Sequence, residues 1–467
     1  MFGDGRGFYV RISKMASQQC FISAAGRSIL WAGRKAPFDR ARVAKGEAPM
    51  TVSPEMRAAQ AVDGSRLWDR LMTMARYGAT PAGGVNRQAL SAEDIAARRQ
   101  MKAWADEFGF AISTDDIGNL FVRREGTQPE TEPITTGSHI DSQPKGGKFD
   151  GIYGVMAGLE ALVALEDAGI RTKRPIEVIA WMGEEGSRFQ PGLMGSLVFS
   201  GQLAAEKALG IVDPEGVSVG QALKDTLAAE PGIARRPTGF PAAAYIETHI
   251  EQGPVLEAED KTIGVVTGIQ GIRWYAIEVL GEEAHAGTCP MKRRKDALKA
   301  AAGMVVALKE VMDDPTDTVR CTFGRFEVFP GSPNTVPGRV FFTIDFRHPE
   351  SEAFETYAAQ IDATCRKHAD GCQVTIEKTL DALPTVFRDD MVQTVQRHTA
   401  SLDVPYKIMP SGGGHDAQNM HRICPTGMIF VPCKDGISHN EAEYASPGDL
   451  AAGTRVLAAC LADLANR

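Results

Sequence analysis

Four short apolar segments constrain this chain more than any other feature. "ITTGSHI", "IEVIAWMG", "AAYIETHI" and "GMIFVP" are each about as long as one buried strand, and the first three run straight into polar residues. Between and after them lie helical patterns, such as "YGVMAGLEALVALEDAG" and "DLAAGTRVLAACLADLA", with apolar residues at i, i+3, i+4 and i+7. Apolar strands alternating with helices predict an α/β domain: a mixed, mostly parallel sheet with helices on both faces. Such sheets place their sites beyond the carboxyl ends of the strands.

One stretch breaks that alternation. "RWYAIEVLG" reads as a strand and "DALKAAAGMVVALKEVM" as a helix. "VRCTFGRFEVFP" and "RVFFTIDFRHP" read as two strands joined by "GSPNTVPG". "ESEAFETYAAQIDATCRKHA" is a second helix and "CQVTIEKTL" a last strand. The order β-α-β-β-α-β is the ferredoxin-like pattern. The expected organisation is therefore a catalytic domain over 56–271, an inserted ferredoxin-like domain over 272–380 and the rest of the catalytic domain over 381–467. Residues 1–55 read as a leader. Nine Lys/Arg stand against three Asp/Glu in the first fifty residues, with no clear period. That fits a targeting extension, or a start assigned too early with Met15 or Met50 as the true one. A disordered or mis-assigned leader is expected, and no function is given to it.

The formal charge of −8 argues against nucleic acid and acidic membranes as partners. No apolar run reaches the ~20 residues that span a bilayer. The eight cysteines form no CxxC pair, which is the usage of a cytoplasmic protein.

The strand ends carry the chemistry. "GSHIDSQPKGGKFDG" puts His139 and Asp141 one residue apart, facing the same side, with Asp150 returned by a glycine loop. "GEEGSRF" sets Glu184 beside Glu185, "HIEQGP" supplies His249 and "GISHNEAE" supplies His439. Any one of these stretches alone reads as a polar turn. Together they gather carboxylates that repel one another and need neutralising. A pair of divalent cations with mixed His and carboxylate ligands, Zn or Mn, meets that need, and leaves a carboxylate over to act as a base.

These motifs, with "AHAGTCPM", "PNTVPG", "DFRH" and "GGGHDAQNM", stand in an order that resembles the M20 metallopeptidase superfamily. Within it they resemble the amidase branch acting on N-carbamoyl amino acids, β-ureidopropionate and allantoate. The resemblance covers nearly everything from Leu67 onward. It implies that His139 and His249 hold one metal, that Glu185 and His439 hold the other, and that Asp150 bridges them. Glu184 resembles the general base and Asp141 the carboxylate that orients the site. His285, otherwise a helix-capping or packing histidine, resembles the family residue that reaches the reacting carbonyl, usually from a partner subunit. Arg347, otherwise an ordinary strand-end arginine, resembles the clamp on the substrate carboxylate, with Asn334 beside it. The glycine turn at Gly414 would present backbone amides to substrate, with His415 close by. Gln190 is a weaker candidate.

The resemblance further implies two divalent ions per subunit (Zn or Mn, with Co or Ni able to substitute), a small-molecule carboxylate substrate and a homodimer through the inserted domain. Two positions depart from the pattern. Cys289 stands where the family commonly has Thr, and Gly413 where it has Ala. Both bear on substrate more than on metal. "SQPKGGKFDGIYGV" tilts the substrate towards β-ureidopropionate and N-carbamoyl amino acids over allantoate. "HIEQGP" argues against a peptidase. A closing binding protein for a small acid is the non-enzymatic alternative, and such a protein has no use for Glu184.

Overall fold

In the computed structural model, which describes residues 52–467, the four apolar segments pair side by side in parallel. Their order is Thr426–Val431, Ala244–Ile250, Ile134–His139, Ile176–Trp181. Antiparallel strands flank them: Leu120–Arg124 and Ala111–Thr114 on one side, Ile263–Ile269 on the other. The sheet is thus mixed, with a parallel centre.

Every residue of the four central strands is buried, as expected of strands covered on both faces. Ile134, Val178, Ile246 and Ile429 share one core with Leu159, Val163, Val456 and Leu461 of the helices Ile152–Asp167 and Pro447–Leu464. Ile179, Trp181, Tyr245 and Met428 pack on the opposite face, with Phe199 and Met420 from two short helices. The helix Ile152–Asp167 is apolar nearly all round, and buried accordingly. Its exception, Glu160, takes hydrogen bonds from Arg66 at 2.8 Å and Arg70 at 3.1 Å. Each fully buried Leu or Val in this layer contributes about 1.5–3 kcal/mol.

A second sheet spans the stretch with its own pattern. Its order is Arg320–Thr322, Arg339–His348, Gly271–Leu280, Gln373–Ala382, and every pairing is antiparallel. The helices Ala297–Val311 and Ser351–Lys367 cover one face. Ile277, Val279, Phe342 and Ile344 meet Ala300, Met304, Leu308, Phe354 and Ile361 there. The other face carries Trp274, Asp345 and Arg347. The expected single strand over "VRCTFGRFEVFP" is instead two, Arg320–Thr322 and Phe326–Phe329. Thr322 lies opposite Asp345 and Phe326 opposite Phe342, so one strand advances four residues while its partner advances three. The extra residue is a bulge at Phe323–Arg325, where Gly324 offers no side chain to hold the ladder.

The chain returns to the large sheet at Thr385–Val386, which pairs with Ile269 and Gly268. The expected leader falls almost wholly outside the described residues. Its last two residues belong to the helix Pro54–Gln60. Among the described residues, no helix is long and apolar enough to cross a membrane.

Candidate metal centre

The carboxyl ends of the four parallel strands converge on Asp150. Nε2 of His249 lies 3.2 Å from its Oδ1, and Nε2 of His139 lies 3.9 Å from the same oxygen. Nε2 of His439 lies 3.3 Å from Oδ2 and 3.5 Å from Oε2 of Glu185. Two three-donor groups result, His139–Asp150–His249 and Asp150–Glu185–His439, each with its donor atoms within 4.8 Å of one another. Bonds of ~2.0–2.2 Å to one centre at tetrahedral angles put donors ~3.3–3.6 Å apart, so both groups are spaced to hold a cation. Asp150 belongs to both, through a different oxygen in each.

Local structure presents these donors. Nδ1–H of His139 donates to the carbonyl of Asp141 at 3.0 Å, and Nδ1–H of His249 to the carbonyl of Ile250 at 2.9 Å. For His139 this leaves the Nε2 lone pair facing the site, as a metal-binding histidine requires, while Nε2 of His249 accepts the Gly151 N–H at 3.1 Å. Asp141 sits behind. Its two oxygens accept the backbone N–H groups of Glu184 (3.3 Å) and Glu185 (3.2 Å), which sets the direction of that carboxylate pair. Glu184 is thereby brought to His139, with Oε2 at 3.4 Å from Nε2. Gly151 is obligatory: its φ is +66°, and a Cβ there would lie 2.2 Å from the His139 ring.

The electrostatics are those of a buried acidic cluster set among histidines. Among the described residues, the ion pairs of Asp141, Asp150, Glu184 and Glu185 all run to histidines. Burial pushes Glu184 well above its usual value, reinforced by Asp416, Glu185, Asp141 and Asp150. Burial, then Asp150, pushes Glu185 up to about 7. Burial pulls His139 down to about 4. Burial also works to raise Asp150, but the adjoining His249 and His439 hold it well below the carboxylate range. The hydrogen bond to Asp150 is the main cause that lifts His439 to about 9.

The cavity over these groups holds about 280 Å³ and is lined in part by Glu184, Leu193, Gln252, Arg347, Gly414 and His415. Three of its lining residues, Leu193, Gln252 and His439, hold left-handed backbone (φ 59°, 57° and 52°) without being glycine. Strain of this kind collects at sites. Arg347 reaches the cavity from the second sheet. Its Nε and Nη2 form a fork on Asp345, both at 2.9 Å. His285 and Asn334 lie elsewhere, both exposed: His285 on a two-stranded ribbon facing Thr335, and Asn334 in the turn that leads into that ribbon. Gln190 is exposed, and its side-chain amide donates to the carbonyl of Gly186 at 2.5 Å.

The sequence did not single out four further residues that shape the centre. The Gln143 backbone N–H (3.1 Å) and side-chain amide (2.8 Å) both hold the Glu185 carboxylate. Gln252 (3.0 Å) and Ser438 (3.1 Å) donate to Oδ2 of Asp150. Glu443 accepts the N–H groups of Phe149 (2.9 Å) and Asp150 (3.1 Å). All four sit inside the same motif strings as the ligands, and that adjacency was the available signal. A third group, Glu247–His249–His415, also has metal spacing. Glu247, however, already accepts hydrogen bonds from Ser138, Tyr245 and the Ala417 N–H. His415 stacks edge-on against His249, with ring centroids 4.5 Å apart.

Residues 135–463 match the family described as Peptidase family M20/M25/M40. The chain is 41% identical over 402 residues to an N-carbamoyl-L-amino-acid amidohydrolase of Rhizobium meliloti, covering 85% of this chain and 95% of that one. It is 36% identical over 403 residues to an allantoate amidohydrolase of Bacillus subtilis (strain 168), covering 85% and 97%. A solved amidase of the hydantoinase/carbamoylase family from Burkholderia multivorans is 45% identical, with a TM-score of 0.80, over 87% of this chain and 98% of that one.

Proposed function

This chain belongs to peptidase family M20/M25/M40, and from that premise we propose that it is a dinuclear metal amidohydrolase for N-carbamoyl amino acids. It would cleave the C–N bond of a ureido acid such as N-carbamoyl-β-alanine or an N-carbamoyl-L-amino acid, releasing the amino acid, ammonia and CO2. The observation that carries the reading is Asp150, one carboxylate with an oxygen in each of two metal-spaced groups.

In this reading His139 and His249 would hold one divalent ion and Glu185 and His439 the other, with Asp150 contributing to both groups. Zn or Mn suits the donor set, with Co or Ni as substitutes. Two such ions supply a Lewis acid for the scissile carbonyl and a water acidic enough to lose its proton near neutral pH. Glu184 takes that proton on Oε2 and delivers it to the leaving nitrogen. Asp141 keeps Glu184 and Glu185 apart and aimed by holding their backbone N–H groups. Arg347, fixed by Asp345, grips the substrate carboxylate through its remaining donors. Gly414 lines the pocket beside it.

The inserted segment is read as a ferredoxin-like lid that also makes the homodimer. Its strand order and one-sided helices support this, as does the exposed placement of His285 on the ribbon and of Asn334 in the turn that leads into it. His285 would then reach the carbonyl oxygen of a substrate bound in the neighbouring subunit. Allantoate is the alternative substrate, supported by the 36% identical relative.

The test is a panel of N-carbamoyl-β-alanine, N-carbamoyl-L- and D-amino acids and allantoate, offered to Mn-, Co- and Zn-loaded protein. Ammonia release from at least one N-carbamoyl acid and loss of activity on chelation are expected. Full activity in a metal-free preparation, or no release from any member of the panel, overturns the proposal.

A further inference from the structure

Lys292, Arg293, Arg294 and Lys295 are four consecutive cations beside the loop that carries His285. Three are exposed. Arg294 alone is half-buried, and it folds back onto the loop. Its Nη2 donates to the carbonyls of Ala286 at 2.6 Å and Cys289 at 3.0 Å, and its Nε donates to Cys289 at 3.1 Å. The Nε and Nη2 side of the guanidinium is thus committed to two backbone carbonyls of one turn.

That turn lies against one edge of the exposed imidazole. The Cys289 N–H donates to the His285 carbonyl at 3.1 Å. Inside, the N–H groups of Gly287 (3.0 Å) and Thr288 (3.2 Å) both point at Nδ1 of His285. Backbone N–H groups only donate, so Nδ1 must carry the lone pair and the ring proton of the neutral imidazole must sit on Nε2. The fit is close: a Cβ on Gly287 would come within 3.3 Å of the ring. The same turn also holds Asn334, whose carbonyl accepts the Ala286 N–H at 3.0 Å.

We infer that Arg294 is a positioning residue: it clamps the 286–290 turn so that two backbone amides fix His285 as the Nε2–H tautomer, a hydrogen-bond donor. This rests on the reading above, in which His285 meets the oxygen of the scissile carbonyl. Only an N–H can serve that oxygen, and the other tautomer would present a lone pair. A lysine cannot take over, because an ammonium is a point donor and does not span two carbonyls as a planar fork does.

The experiment uses the metal-loaded full chain with 15N-labelled histidine. Two-bond 1H–15N correlation spectra report the tautomer of each of the nine histidines. His285 is assigned by the signal that disappears in His285→Gln. The native chain is expected to show a single Nε2–H form. Arg294→Met should mix the tautomers and lower kcat on the order of tenfold, with KM changed far less. Arg294→Lys should recover only part of both, while Arg293→Met should change neither. Should Arg294→Met fail to fold, the lysine variant decides: a single tautomer with native kcat overturns the proposal. A native tautomer and native kcat in Arg294→Met overturns it equally. If His285→Gln leaves turnover intact, the carbonyl role of His285 falls, and the spectra still decide whether Arg294 sets the tautomer.

Discussion

The carboxyl ends of the parallel strands and the antiparallel sheet handle their carboxylates in opposite ways. At the ends of the parallel strands, burial is the main force lifting Asp141, Glu184, Glu185 and Glu443 above their usual values, and among the described residues the first three have only histidines as ion-pair partners. In the antiparallel sheet the acids are matched by guanidiniums. Arg273 takes Asp381 at 2.6 Å and Glu355 at 2.9 and 3.0 Å, and Arg347 takes Asp345. Glu355 is held below its usual value chiefly by Arg273. Burial works to raise Asp381, but hydrogen bonds from Lys378 and Arg273 outweigh it. Around the second sheet these acids have cationic side chains at hand, whereas the acids at the parallel strand ends have the histidines of two metal-spaced groups.

The contrast can be broken at several points. Asp150→Ala should have the largest effect, because it takes one donor from each group. Metal content measured on the purified protein should drop to near zero, and turnover with it. One retained equivalent of metal would mean that Asp150 is not shared. Next, Glu184→Gln should keep both metals and lose roughly 10²–10⁴ in kcat, the usual loss when a general base is removed. Glu185→Gln should lose metal first, and like behaviour in the two variants would erase the distinction between them. In the second domain, Asp345→Asn should raise KM by about tenfold, in line with losing the partner that orients a binding group. An analogue with its carboxylate esterified should feel little of this. Smallest of all, Asp381→Asn should cost ~0.2–1 kcal/mol, since the pair is partly solvated. Its sign with pH is fixed. Asp381 and Glu355 titrate lower in the folded chain than unfolded, so their contribution is full above the usual carboxylate range and fades as pH falls through and below it. Hydrogen exchange in the antiparallel sheet between pH 5 and 3 should show this loss in the native chain and less of it in Asp381→Asn.

Much of the centre was legible because period and chemistry coincide. His139 and Asp141 follow an apolar strand with the spacing that puts them on one side, and Glu184 and Glu185 follow another. Parallel pairing then brings strand ends together without further information. What stayed hidden needs contacts from distant parts of the chain. Glu443 supports the loop at Asp150 from 293 residues further on, and nothing in "NEAEY" alone distinguishes it from Glu441. The left-handed backbone of Gln252, Leu193 and His439 is imposed by packing around the site, against local preference. In the second domain the pattern of strands and helices was plain. The bulge at Phe323–Arg325 was not, because a one-residue slip leaves the alternation of apolar residues nearly unchanged.

The joint between the two sheets has a mechanical consequence. The second sheet joins the large one at two neighbouring crossings, Gln270 and Leu383–Pro384, beside the pair Thr385–Ile269. A rotation of one sheet against the other would turn about them. Arg347 lies opposite Ile272, almost on the axis. His285 lies past the far end of the ten-residue strand Gly271–Leu280, roughly 30 Å out. A small rotation about the crossings therefore leaves the guanidinium nearly still and sweeps the imidazole along a wide arc. The residue proposed to grip the substrate would sit on the short arm of such a lever, and the residue proposed to reach the carbonyl on the long one.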